Sequence, residues 1–268
     1  MNNKPTVGVV AISYNEQEDL PGFINHLIEW VDELVIVDSG STDKTIEIIN
    51  NSNFDIKLIK TTMEQAGGYA SLRNLGVEGC NSDWVINMDI DERITEKLKN
   101  EILKSINIDE YNAYRYRRLN YFLHRPMKAG GWNSWNNPQL ARRGFHSFEG
   151  KLHENCIIEG EEKKIGQLQG FMLHLNDDSY LERMDKSFRY CKLESDKLIE
   201  QNIKVKGYQI LVNPILEFFK KYIYKRGFID GIPGLIAAIH SANAVFRILA
   251  LTWDVQNKID RADIENFK

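Results

Sequence analysis

"ELVIVDSGSTDKTIEIINN", residues 33–51, joins two periodicities at one turn. Leu34 to Val37 form an uninterrupted apolar run, as a strand covered on both faces should. Asp38 ends the run, Gly40 permits a close turn, and Ser41, Thr42 and Asp43 offer capping oxygens before the spacing becomes helical. The flanks repeat this pattern. "TVGVVAIS" (6–13) reads as a buried strand, and "EDLPGFINHLIEWV" (18–31) as a helix with Leu20, Phe23, Ile24, Leu27 and Ile28 on one side. "IKLIKTT" (56–62), "GGYASLRNLGVEGC" (67–80), "DWVINMDID" (83–91) and "ITEKLKNEILKSI" (94–106) continue as strand, helix, strand and helix. Alternation with short connections predicts an α/β fold, Rossmann-like, with a mostly parallel sheet sandwiched by helices and right-handed crossovers. Ligands of such sheets bind at the carboxyl ends of the strands, here Ser13 to Glu16, Asp38 to Gly40, and Asp89 to Asp91.

After residue 110 the pattern changes. "NAYRYRRLNYFL" (112–123) alternates like an antiparallel strand, and "NNPQLARRGF" and "GFMLHLND" follow between glycine-rich loops. From about 179 the chain reads as helical, with apolar helices over roughly 208–225 and 233–257. The expected organisation is a catalytic domain over 1–178, with a donor half over 1–107 and an acceptor half over 108–178, and a helical C-terminal extension over 179–268.

The 268 residues carry a net charge of −4, which gives no footprint for nucleic acid. The cysteines, Cys80, Cys156 and Cys191, are odd in number and far apart, so a reducing, cytoplasmic setting is expected. The N-terminus lacks a signal-peptide layout, and no uninterrupted run of 18 apolar residues predicts a spanning helix.

"MDIDE" (88–92) places three acids directly behind the core strand. On an extended strand, Asp89 and Asp91 would share a face. Two hard carboxylates there suit Mg²⁺ or Mn²⁺, and an unmatched acid cluster at a buried strand's mouth is costly without a cation. Asp38, at its strand-to-helix turn, could accept from a base N–H or a ribose hydroxyl.

"SYNE" (13–16), "VDSGSTD" (37–43), "RNLG" (73–76) and "MDIDE", in this order, resemble the family 2 glycosyltransferases with the GT-A fold. The resemblance implies a nucleobase pocket lined by Ser13, Tyr14 and Glu16, with Asp38 beside the base or ribose. It implies that Arg73 faces the base or diphosphate, Asp89 the ribose or metal, and that Asp91 ligates Mg²⁺ or Mn²⁺. Many relatives carry a second acid after Asp38 where this chain has Ser39, so the base stays open. "GGWNSWNNPQLARRG", "GKLHENCIIEG" and the segments from "FMLHLNDDSYLERMDKSFRYC" onward resemble the lipopolysaccharide core β-1,4-glucosyltransferase subgroup. That implies UDP-glucose as donor and a glycan or glycolipid acceptor.

Family 2 members generally invert, which requires a general base. Glu154, beside a histidine in "KLHEN", is the preferred candidate and Glu149 the second. His174 is either a core histidine or a third metal ligand. Residues 113–151 hold eight lysines and arginines against one acid, Glu149. This favours a phosphorylated or acidic acceptor, with Trp132, Arg142 and His153 as contacts. "EFFKKYIYKR" (217–226) reads either as a membrane-surface helix on the inner face of the cytoplasmic membrane or as packing on the catalytic domain or a second subunit. The rival classes are a non-catalytic sugar-nucleotide binding protein and a nucleotidyltransferase. The acidic "SYNEQEDL", with no glycine-rich cationic loop, argues against the second.

Overall fold

The structure is a computed structural model that describes residues 4–132, 138–150, 155–159, 165–176 and 179–265. The chain divides into two compact units.

The first unit comprises Met1–Leu119 and Ser134–Leu175. Its elements begin with β1 (Val7–Ser13), α1 (Leu20–Leu27), β2 (Glu33–Asp38), α2 (Thr45–Asn50), β3 (Ile56–Lys60), α3 (Met63–Ala66), α4 (Tyr69–Gly79) and β4 (Trp84–Asp89). They continue as β5 (Glu92–Ile94), α5 (Glu96–Ser105), β6 (Ala113–Phe122), whose last residues enter the second unit, then β8 (Leu140–Arg142), β9 (His146–Glu149), β10 (Asn155–Ile158) and β11 (Ile165–His174). The sheet order is β3-β2-β1-β4-β8-β6-β11-β5, and β9 and β10 form a separate antiparallel pair. The first four strands pair in parallel, as the alternation predicts. From β4 onward the observed pairings to β8, between β6 and β8, and between β11 and β5 are antiparallel.

Burial follows the sequence pattern. β1, β2 and β4 are buried along nearly their whole length, because helices cover both faces. Leu20, Phe23, Ile24 and Leu27 of α1 enter the main core with Leu34, Ile36, Ile86, Met88, Leu98 and Ile102. Each such aliphatic or aromatic side chain contributes about 1.5–3 kcal/mol when fully buried. α4 approaches the sheet so closely that a Cβ on Gly76 would lie 2.2 Å from Val10 Cγ1, which accounts for the glycine in "RNLG".

The second unit comprises Asn120–Asn133 and Asn176–Lys268. Residues 120–133, which the sequence reading grouped with the acceptor half, cluster with this unit. β7 (Arg125–Pro126) pairs with the end of β6, and Phe122, Met127 and Ala237 form a small core. The helices are α6 (Tyr180–Glu200), α7 (Gly207–Phe219), α8 (Gly231–Gln256) and α9 (Arg261–Glu265), with a π turn over Lys220–Tyr224 and a 3₁₀ turn over Gly227–Asp230. α8 packs against both α6 and α7. Residues Gly227–Gln256 are apolar and long enough to cross a membrane by length and composition, with an 18-residue window of mean hydropathy 1.6, of which 22% is buried. The expectation of no spanning helix rested on uninterrupted runs, which His240, Asn243 and Arg247 break without lowering the mean far.

Candidate active site

Two loops at the carboxyl ends of β1 and β2 are stitched together. Asp38, 3% exposed, accepts from the backbone N–H groups of Gly40 (3.0 Å) and Ser41 (2.9 Å) on Oδ1. Its Oδ2 accepts from the hydroxyls of Ser41 (2.5 Å) and Ser13 (3.3 Å). A carboxylate has about four lone-pair positions, so its own turn engages all of them. Asp38 therefore holds the turn, which Gly40 makes at φ +105°. Asn15, at φ +58°, accepts on Oδ1 from Thr42 N–H (2.8 Å), and Thr45 Oγ1 accepts from Glu16 N–H (2.8 Å). Ser41–Asp43 are thus spent on this clamp, and α2 starts only at Thr45. Tyr14 is 58% exposed beside it, Ser13 is buried, and Glu16 is half-buried.

Asp38→Ala should destabilise the protein by roughly 2–4 kcal/mol, because it strands two backbone N–H groups. Asp38→Asn, which keeps one acceptor oxygen, should cost less. Urea unfolding of both variants would reveal the ranking.

The acid cluster follows from β4 and β5. β4 stops at Asp89, and Asp91 lies in a turn, so the two acids do not share a strand face as expected. Arg93 shapes the turn by donating to the carbonyls of Ile90 (2.6 Å), Glu92 (2.8 Å) and Asp19 (2.8 Å). β5 pairs antiparallel with β11, setting His174 opposite Glu92, and Leu175 N–H donates to Asp91 O (2.9 Å). His174 Nε2 lies 3.1 Å from Asp91 Oδ2. Ligand atoms of Asp89, Asp91 and His174 all lie within 4.8 Å of one another.

Positive side chains answer the buried acids. Arg73 Nη2 contacts Asp89 Oδ1 at 2.7 Å. Arg118 contacts Asp89 at 3.5 Å and pairs with Glu92, which is wholly buried and accepts from Asp89 N–H (2.9 Å). Burial would raise the Asp89 carboxyl, but Arg73 and Arg118 overcome it and hold Asp89 well below the usual carboxylate range. Burial pushes the Glu92 carboxyl up to about 7, against the lowering influence of Arg118. Burial also lowers His174, but the Asp91 carboxylate more than offsets it, and the imidazole is raised.

"RNLG" is explained residue by residue. Arg73 reaches Asp89, and Asn74 ties α4 to β9 by donating to Phe148 O (3.0 Å) and accepting from Phe148 N–H (2.9 Å). Gly76 admits Val10. Sequence reasoning assigned no site role to Glu92, Arg93 or Asn74, and counted Arg118 only within the basic stretch over 113–151. The signals present were a third acid and an arginine directly after "DID".

Arg142 stacks over Trp84 (4.8 Å) and pairs with Asp109 (2.5 Å). Its partner Trp84 starts β4, about 17 Å along the strand from Asp89 at ~3.3 Å per residue, so the antiparallel pairing of β8 removes Arg142 from the cluster. Trp132 falls in the second unit, with its ring 5.4 Å from Phe122 and Arg183 over it at 5.1 Å. Glu149 is exposed at the end of β9. His153 and Glu154 lie outside the described residues.

A hexacoordinate ion with ~2.1 Å bonds spaces its ligand atoms about 3.0–4.2 Å apart, so Asp89, Asp91 and His174 fit one with small adjustment. Two carboxylates suit Mg²⁺ or Mn²⁺, and an imidazole tilts the set toward the transition metal.

Glycosyl transferase family 2 matches residues 8–157, and the chain belongs to that family. The lipopolysaccharide core biosynthesis glycosyltransferase LpsC of Rhizobium meliloti is 28% identical, over 92% of this chain and 94% of its own length. An uncharacterised glycosyltransferase of Rickettsia prowazekii is 26% identical, over 94% and 88%. Among solved structures, the mannosyltransferase PcManGT of Pyrobaculum calidifontis, in complex with GDP-Man and Mn²⁺, is similar with a TM-score of 0.51 at 14% identity, covering 97% of this chain and 89% of that one. The fold is GT-A, with helices appended at the C-terminus.

Proposed function

We propose that this glycosyltransferase moves a hexose, glucose from UDP-glucose, onto a bacterial surface glycan such as a lipopolysaccharide core sugar, with inversion, on the cytoplasmic side. The observation that carries this reading is the convergence of Asp89, Asp91 and His174 at the carboxyl end of β4. The likeness to LpsC over nearly the whole chain supports the acceptor class.

In this reading Asp91, His174 and Asp89 hold Mg²⁺ or Mn²⁺, which when bound neutralises charge on the leaving diphosphate. Arg73 holds Asp89 ionised and oriented. The acceptor hydroxyl oxygen bonds to the anomeric carbon as the bond from that carbon to the diphosphate oxygen breaks. The hydroxyl proton passes to a carboxylate, Glu154 by preference and Glu149 as the second candidate.

The test is turnover of UDP-glucose with Mn²⁺ and a heptose-containing core acceptor, with the product's anomeric configuration read by NMR. A β-glucoside from the α-linked donor is expected. A retained configuration, or no release of nucleoside diphosphate from any nucleotide sugar, defeats the proposal. Loss of release in Asp91→Ala and Glu154→Gln excludes a binding protein without catalysis.

A further inference from the structure

α7 is apolar, yet none of its residues is buried. Tyr208, Leu211, Val212, Ile215, Leu216 and Phe219 are each between 40% and 68% exposed. Their spacing of three and one places them on one helical face. A helix of a globular unit normally turns such a face inward, whereas here it meets solvent. Phe228 and Ile229, in the turn that follows, are also about half exposed, at 49% and 55%.

The charges around this face share one sign. Lys204 and Lys206 precede α7, and Lys220, Lys221, Lys225 and Arg226 follow it. Glu217 is the one acid between residues 203 and 229, in a chain whose net charge is −4. It pairs with Lys220 at 3.1 Å.

We infer that α7 and the turn after it dock on the surface of an anionic phospholipid bilayer, with the apolar face in the acyl boundary and the flanking cations on lipid phosphates. The 13 residues of α7 span about 20 Å, short of the ~30 Å hydrocarbon core, so the helix lies in the interface plane rather than crossing it. A symmetric contact with a second copy would set one cationic collar against another, which disfavours self-association as the alternative cover. The proposal is independent of which sugar donor the first unit takes.

The test uses the full chain and co-sedimentation with vesicles of phosphatidylglycerol and phosphatidylcholine, against phosphatidylcholine alone. Binding to the anionic vesicles should be at least about tenfold stronger and should fall with added salt. Lys220→Gln with Lys225→Gln should weaken it about 25-fold, at about fivefold per charge. Leu211→Ser with Phe219→Ser should weaken it by about tenfold or more, with an unchanged melting temperature because both side chains are exposed. Equal binding to the two vesicle types, no binding to either, or variants that bind like the wild type would overturn the inference. So would a lipid-free dimer that the serine variant dissolves.

Discussion

Asp91→Ala is expected to lower kcat/KM for sugar transfer about 10³-fold, the scale of a several-kcal/mol loss of charge stabilisation at the departing diphosphate. The loss should fall here rather than on Asp89 alone for a structural reason. Asp89 already has Arg73 on one oxygen and Arg118 near the other, whereas Asp91 faces His174. Removing the Asp91 carboxylate takes away a proposed metal ligand and the group that raises the His174 imidazole. NMR titration without metal should therefore place His174 in Asp91→Asn below its wild-type value, because burial then acts with less opposition. Calorimetric titration with Mn²⁺ should show weaker binding in the same variant. Wild-type turnover together with unaltered Mn²⁺ affinity would remove Asp91 from the metal site.

The second large effect concerns stability. Arg118→Ala should cost about 3–5 kcal/mol, because it leaves Glu92, wholly buried, without its cation. That corresponds to a fall in melting temperature of roughly 6–20 °C. The sign of the pH dependence follows from the raised Glu92 carboxyl. A raised acid binds more protons in the folded than in the unfolded state, so its contribution is fully present below the unfolded value of about 4.3 and is lost as pH rises through about 7. Without Arg118 the carboxyl rises further. The deficit should therefore be smaller at about pH 5.5 than at about pH 8. The double variant Glu92→Gln with Arg118→Met should recover much of the loss, since no buried charge is left uncompensated. Thermal unfolding of the wild type, Glu92→Gln, Arg118→Met and the double variant gives the coupling; a coupling near zero would show that the pair is not the source of the cost.

The acid run "MDIDE" asks what compensates three carboxylates at the mouth of a core strand. Part of the answer is the protein's own cations. Arg73 comes from α4, Arg118 from β6 and His174 from the end of β11. None of these pairings is legible from spacing, because they join residues far apart in the chain, as Asp91 and His174 are. Asp38 shows the converse. Its position at a strand's end was legible, but the saturation of its carboxylate by Gly40, Ser41 and Ser13 depends on backbone geometry that composition does not report.

The sequence by itself determined the parallel half of the sheet, its order of strands and helices, and the three loops that gather at the strands' carboxyl ends. Periods of two and 3.6 residues are local properties, and a strand covered on both faces announces itself by unbroken apolarity. Only the tertiary structure decided that β5 returns beside β11, which brings His174 to Asp91, and that β8 carries Arg142 to the far end of β4. Antiparallel register is set by contacts between distant segments, so a charge's partner is known only once the chain has closed on itself. For the same reason, only the fold showed that the apolar face of α7 is left uncovered within its unit.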